Sequence, residues 1–327
     1  MGLFYSEKST NDQILVGYAN ADNLEFLRRW FHEFPEYKNR DLFITGQSYA
    51  GHYVPQLAQL IIQSKLKFNL KAVAIGNPLF EFNTDINSRA EYWCSHGLIS
   101  DATFENLTSV CNYSEIFRLE GIRGGPLTLD CDAVANQFER EVPRHLINQY
   151  DVTLNVCLSS VEAQSFQLRK TAKIDVCIED ETVSYLNRPD VQEVLHARVT
   201  NWTTFSNRVV IQYDMKNLET PMLPVLGDLV KSGIRVLIYS GDQDSIIPLT
   251  STQTLVNGLA KDLGLQTNVP YRVWFEEKQI AGWTQVYSDA LSYATIRGAG
   301  HKAPISQPER SLLIFTSFLT GMPLPKA

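Results

Sequence analysis

Apolar positions recur at two different periods along this chain, and the alternation between them predicts its architecture. Over residues 22–34, Leu24, Leu27, Phe31 and Phe34 return every three or four positions, the spacing of one helix face, and Pro35 stops it. Leu42-Phe43-Ile44-Thr45 is a short, largely apolar run of the kind a buried parallel strand requires. Gly46-Gln47-Ser48-Tyr49-Ala50-Gly51 follows, and helical spacing resumes over residues 54–62. Ala72-Val73-Ala74-Ile75 reads as the next strand, closed by Gly76-Asn77-Pro78. Strand, helix and strand in that order make a βαβ unit, and so a mostly parallel sheet.

The pattern changes over residues 79–180. This stretch is polar, holds every cysteine and lacks a strong strand, so it is expected to be a helical cap insertion above the sheet. The α/β alternation then returns. Helices are expected over residues 191–196, 223–231 and 252–263, strands over 236–239, 273–275 and 293–296, and a closing helix over 309–319. The expected fold class is α/β, as one domain over residues 1–327 with the insertion within it.

Composition adds exclusions. A chain of 327 residues is long for one compact core and short for two, which suits a single domain with an insertion. The net charge of 29 − 36 = −7 argues against nucleic acid as a partner. No run of ~18 apolar residues is present, so no membrane span is expected. Cys94, Cys111, Cys131, Cys157 and Cys177 show no CxxC spacing, and neither a metal nor an organic cofactor is expected. Sequons at Asn106, Asn112 and Asn201 beside a cysteine-bearing stretch favour a secretory glycoprotein with disulfides. The opening Met-Gly-Leu-Phe-Tyr-Ser-Glu-Lys has no basic start followed by an apolar run. No signal peptide is read there, and the chain is expected to begin in the middle of a longer design.

Candidate chemistry gathers at strand ends. Gly46-x-Ser48-x-x-Gly51 lies where strand gives way to helix, and small residues there allow a tight turn that lifts a serine hydroxyl to the top of a sheet. The N–H of Tyr49 would face a developing oxyanion. A plain glycine-rich turn is the alternative reading. A serine nucleophile, however, needs a base, and the base needs an orienting carboxylate. Gly241-Asp242-Gln243-Asp244 follows one later strand and Gly298-Ala299-Gly300-His301 follows another, giving the order serine, acid, histidine of α/β-hydrolases. Asp244 is preferred over Asp242, because it lies a turn's length past the strand while Asp242 is placed to bond the turn's own backbone. His32, His145 and His196 fall in helical patterns, and His52 is expected to pack on the nucleophile helix.

The segments Gly-Gln-Ser-Tyr-Ala-Gly-His-Tyr-Val-Pro (46–55), Ile75-Gly76-Asn77-Pro78, Ser95-His96-Gly97-Leu98-Ile99-Ser100, Tyr239-Ser240-Gly241-Asp242-Gln243-Asp244 and Gly300-His301 resemble the serine carboxypeptidase family. The match is best to its plant carboxypeptidase-like members and runs from Phe4 nearly to the C-terminus. The resemblance implies an α/β-hydrolase that cleaves a peptide substrate at its C-terminal residue through an acyl-enzyme, with Ser48, Asp244 and His301 as the triad. It also implies a secreted or vacuolar protein, and a homodimer is the assembly to test for. Some relatives are acyltransferases that work on sugar esters, so the acceptor stays open.

Four cysteines allow three pairings, and the sequence alone does not choose among them. The family pattern implies Cys111–Cys131 and Cys157–Cys177, with Cys94 as a free thiol. The family's usual glutamate before the serine helps bind the substrate's terminal carboxylate, which gives Gln47 a substrate-binding role here. Cys94 stands where the family has tryptophan, and Phe205 where it has cysteine. The family's upstream W-x-N-G-G-P-G-C-S-S block, source of a second oxyanion N–H, has no counterpart in these residues. Loss of one such donor costs about 10²–10³ in kcat, so the chain as written is expected to be a poor enzyme or an inactive, incomplete one.

Overall fold

The computed structural model describes residues 16–64, 66–143, 145–157, 174–197, 201–204 and 215–326. The replacement read at Phe205 lies outside them.

Six strands form one sheet: β1 (Leu42–Gln47), β2 (Leu70–Gly76), β3 (Arg235–Gly241), β4 (Thr267–Glu276), β5 (Gln279–Tyr287) and β6 (Leu291–Ile296). Their spatial order is β1-β2-β3-β6-β5-β4. The first four run parallel, and β5 pairs antiparallel with both β6 and β4. The central strands are short and apolar for the reason the sequence suggests: in β2 every residue but Lys71 is buried. An α/β-hydrolase sheet of this kind brings the carboxyl ends of its parallel strands to one edge. The register does so here, aligning Gln47 with Gly76, Gly76 with Tyr239, and Gly241 with Ile296.

Helices α1 (Val16–Glu33) and α2 (Ala50–Gln63) flank β1. Between β2 and β3 the regular elements among the described residues are helices, chiefly α3 (Phe82–Ser95), α4 (Asp101–Ser109), α5 (Tyr113–Phe117), α6 (Leu129–Glu141), α7 (Ile178–Leu186), α8 (Pro189–Val194) and α9 (Leu223–Lys231). Then come α10 (Leu249–Asp262) and α11 (Pro308–Thr320). Side-chain caps fix several starts, as in α3, where the Glu81 carboxylate accepts from the N–H groups of Asn83 and Thr84. Two apolar clusters follow from this layout. One packs Val73, Ile75, Val236 and Ile238 of the sheet against Ala58, Leu229 and Val256 of α2, α9 and α10. The other gathers Trp93, Leu107, Tyr113 and Phe138 among α3 to α6.

The structure differs from the sequence reading in three places, one of them His145, which lies in a turn past α6 rather than in a helix. β5 was not anticipated, because Gly282 and the mixed run Gln279-Ile280-Ala281-Gly282-Trp283-Thr284 obscure its alternation. The helix expected over 191–196 ends at Val194, and His196 lies past it with φ 52°. Disulfides join Cys111 to Cys131 and Cys157 to Cys177, and Cys94 is a free thiol. No helix among the described residues is long and apolar enough to cross a membrane.

Candidate active site

The turn from β1 into α2 places Ser48. Its φ of 64° lies in the left-handed region that an L-residue enters only when its surroundings enforce it. The enforcing contacts are local. Ser48 N–H donates to Gly76 C=O at 2.9 Å, and Ser48 C=O accepts from the N–H groups of Gly51 at 2.9 Å and Leu79 at 3.1 Å. Both glycines are needed for closeness. A side chain at position 46 would strike Ala50, and one at position 51 would strike the Leu79 backbone. Gly46 thereby makes room for the Ala50 methyl group.

Asp244 lies past β3, fully buried. Its Oδ1 accepts from the N–H groups of Ile246 at 2.8 Å and Ile247 at 3.3 Å. Its Oδ2 accepts from Asn77 Nδ2 at 2.8 Å and lies 2.6 Å from His301 Nδ1. A buried carboxylate with four N–H partners is fully satisfied, and its contact places the imidazole proton on Nδ1, leaving Nε2 as an acceptor. Asn77 was quoted in the sequence motif but given no role. It is buried, has φ 44°, and also accepts from Gly241 N–H through Oδ1.

Gln47 connects the elbow to the histidine. Its side-chain Nε2 donates to the backbone carbonyl of His301. Asp242 plays the role expected of it, bonding turns rather than the histidine: its Oδ1 accepts from Gly298 N–H at 2.6 Å and Gln243 Nε2 at 3.0 Å. Burial raises its carboxyl pKa.

A segment that the sequence did not mark braces both loops. Tyr150 C=O accepts from His301 N–H at 2.6 Å, and Gln149 C=O accepts from Ser245 N–H at 3.1 Å. Val152 N–H donates to Gln243 C=O at 3.1 Å. Gly300 lies against Asp151 so closely that any side chain there would collide with it. The Tyr150 ring centroid is 5.3 Å from that of His301. Burial raises the pKa of Asp151, as it does that of Tyr92, on which the negative charges of Asp242, Asp244 and Asp151 also act.

Tyr49 opens α2, so its N–H lies at the positive end of that helix. Its ring stacks on His52 with centroids 4.8 Å apart and 6° between planes. His52 is fully buried, and burial pushes its pKa down to about 4. Of the sequon residues, Asn112 and Asn201 are exposed, while Asn106 is half-buried and donates to Gln137 Oε1 at 3.3 Å. Among the described residues no cluster of His, Cys, Asp and Glu is arranged to hold a metal ion.

Comparison with known proteins adds four findings. A family model described as serine carboxypeptidase matches residues 2–321. Serine carboxypeptidase-like 45 of Arabidopsis thaliana is 54% identical over 340 residues, covering 100% of this chain and 72% of that protein. Serine carboxypeptidase-like 46 of the same plant is 52% identical, with the same coverage. Among solved structures, a prohormone-processing carboxypeptidase from Saccharomyces cerevisiae superposes with a TM-score of 0.70 at 19% identity, covering 95% of this chain and 68% of that one. At that identity the likeness speaks for the fold.

Proposed function

We propose that this chain, which belongs to the serine carboxypeptidase family, releases C-terminal residues from peptides by way of Ser48, His301 and Asp244. The observation that carries this reading is the buried Asp244–His301 contact at the sheet edge where the strained Ser48 turn ends β1. His301 Nε2 takes the Ser48 proton as Oγ attacks the scissile carbonyl. Asp244 holds the imidazole and stabilises its cation. Tyr49 N–H donates to the tetrahedral oxyanion. His301 then gives the proton to the departing amine, which leaves as a free amino acid. Water attacks the acyl-Ser48 ester by the same steps in reverse. Gln47 contributes its second amide hydrogen to the substrate's terminal carboxylate while the first holds His301. A secreted or vacuolar location fits the disulfides and the exposed sequons.

The test is labelling with a fluorophosphonate, followed by turnover of blocked dipeptides and of acyl-glucose. Labelling at Ser48 with release of free amino acid supports the proposal. Labelling with turnover of the sugar ester alone would identify an acyltransferase. No labelling of folded protein would remove the nucleophile.

A further inference from the structure

Arg89 of α3 is 6% exposed and forms no ion pair among the described residues. A charge largely withdrawn from water with no counter-ion among the described residues is costly, so such a cation calls for a reason. Its one hydrogen bond runs from Nε to the carbonyl of Ile246 at 2.7 Å. Its guanidinium otherwise faces the rings of Phe117, 5.5 Å from the centroid, and Tyr113, 5.9 Å away. Asp85, one turn earlier on the same helix, does not serve it. That carboxylate accepts instead from the N–H groups of Phe80 at 2.7 Å and Glu81 at 2.9 Å.

The position is informative. Ile246 is the residue whose N–H bonds Asp244 Oδ1, so the guanidinium sits one peptide from the carboxylate that orients His301. On its other side its charge acts on the Tyr150 hydroxyl, opposing the rise that burial imposes, and the Tyr150 ring lies beside His301. Among the described residues the two Nη atoms make no hydrogen bond, yet neither is sealed from solvent without a partner. An oriented fork of N–H donors that is not fully sealed from solvent, in an apolar surround, is built to receive a carboxylate.

We propose that Arg89 determines specificity by taking the carboxylate of an acidic side chain next to the scissile bond. This rests on the reading of the site as one that cleaves peptides. The test compares kcat/KM for blocked dipeptides carrying Glu, Gln or Leu at the penultimate position, in the unaltered protein and in Arg89→Gln and Arg89→Lys. The unaltered protein should favour Glu over Gln by about tenfold or more. Arg89→Gln should abolish that ratio, and Arg89→Lys should keep part of it. A uniform loss on all three substrates, or no preference for Glu to begin with, overturns the proposal. So does a variant that loses instead the preference for a free terminal carboxylate over its amide. If the arginine variants do not fold, calorimetric binding of the Glu and Gln dipeptides to Ser48→Ala decides the question. That measurement needs no turnover, so it separates failure of Arg89's role from failure of the hydrolytic reading. Equal binding of the two dipeptides sinks the inference.

Discussion

Gln47 donates its side-chain amide to the backbone carbonyl of His301, so the residue before the proposed nucleophile holds the loop of the proposed base. An amide donates at every pH, whereas a glutamate donates only while protonated. Gln47→Glu should therefore tie activity to acid. Its kcat/KM should fall as pH rises through the glutamic acid range, where the unaltered protein should show no such loss. Superimposable pH profiles would mean that the contact is incidental.

Ser48→Ala and His301→Ala should each lower kcat by several orders of magnitude, with thermal unfolding close to that of the parent. Turnover by Ser48→Ala at the parent rate would exclude Ser48 as nucleophile.

Asn77 combines a left-handed backbone with a buried donor to Asp244. Asn77→Gly keeps the backbone and loses the amide, while Asn77→Ala loses both. Both should cut kcat about tenfold or more, because Asp244 is left one partner short. Only the alanine variant should carry the extra cost of strain. Denaturant unfolding of the pair separates the two effects, and equal stability of the two variants would refute this account of φ.

Two buried groups make opposite contributions to stability against pH. Burial pushes the Asp85 carboxyl up from 3.8 to about 6, against the pull of its two backbone N–H partners. The folded state then takes the proton first, so stability from this group rises as pH falls from about 6 toward 3.8. Burial pushes His52 down from 6.5 to about 4, so the unfolded state takes that proton first, and stability is lost as pH falls through that window. The windows overlap, and the slopes offset each other. Asp85→Asn should expose the loss toward acid, and His52→Gln should expose the gain. Urea midpoints across the acidic range measure both, and identical slopes in all three proteins would rule the pairing out.

The Cys111–Cys131 bridge spans 20 residues. Removing it by paired alanine substitution should cost about 3 kcal/mol on the chain-entropy model. Alkylation without reductant should modify Cys94 alone; modification of Cys111 or Cys131 in folded protein would contradict the pairing.

Ser48, Asp244 and His301 could be picked out as candidates from the sequence because each follows a strand end, and a strand end is a local pattern. Asp244 was separable from Asp242 by its distance past β3. Asn77 was visible as a letter in a motif, but its task depends on β2 lying beside β3, a pairing that no local pattern encodes. The bracing carbonyls of Gln149 and Tyr150 belong to the backbone and leave no trace in residue type. Arg89 is the extreme case. An arginine on an amphipathic helix reads as a solvated charge, and only the packing of α3 against the Ile246 loop and α5 shows that it lacks a counter-ion among the described residues. β5 was missed because Gly282 interrupts its alternation.

The brace at residues 149–152 has a consequence for how the molecule is made. Ser245 and His301 find their backbone partners in a segment that arrives between the two halves of the sheet, so neither loop is fully braced until that segment docks. Sheet pairing can proceed first, since β2, β3 and β6 register without it. In refolding, tryptophan burial should therefore recover before fluorophosphonate reactivity. A newly made chain would pass through a native-like stage in which the candidate site is not yet assembled.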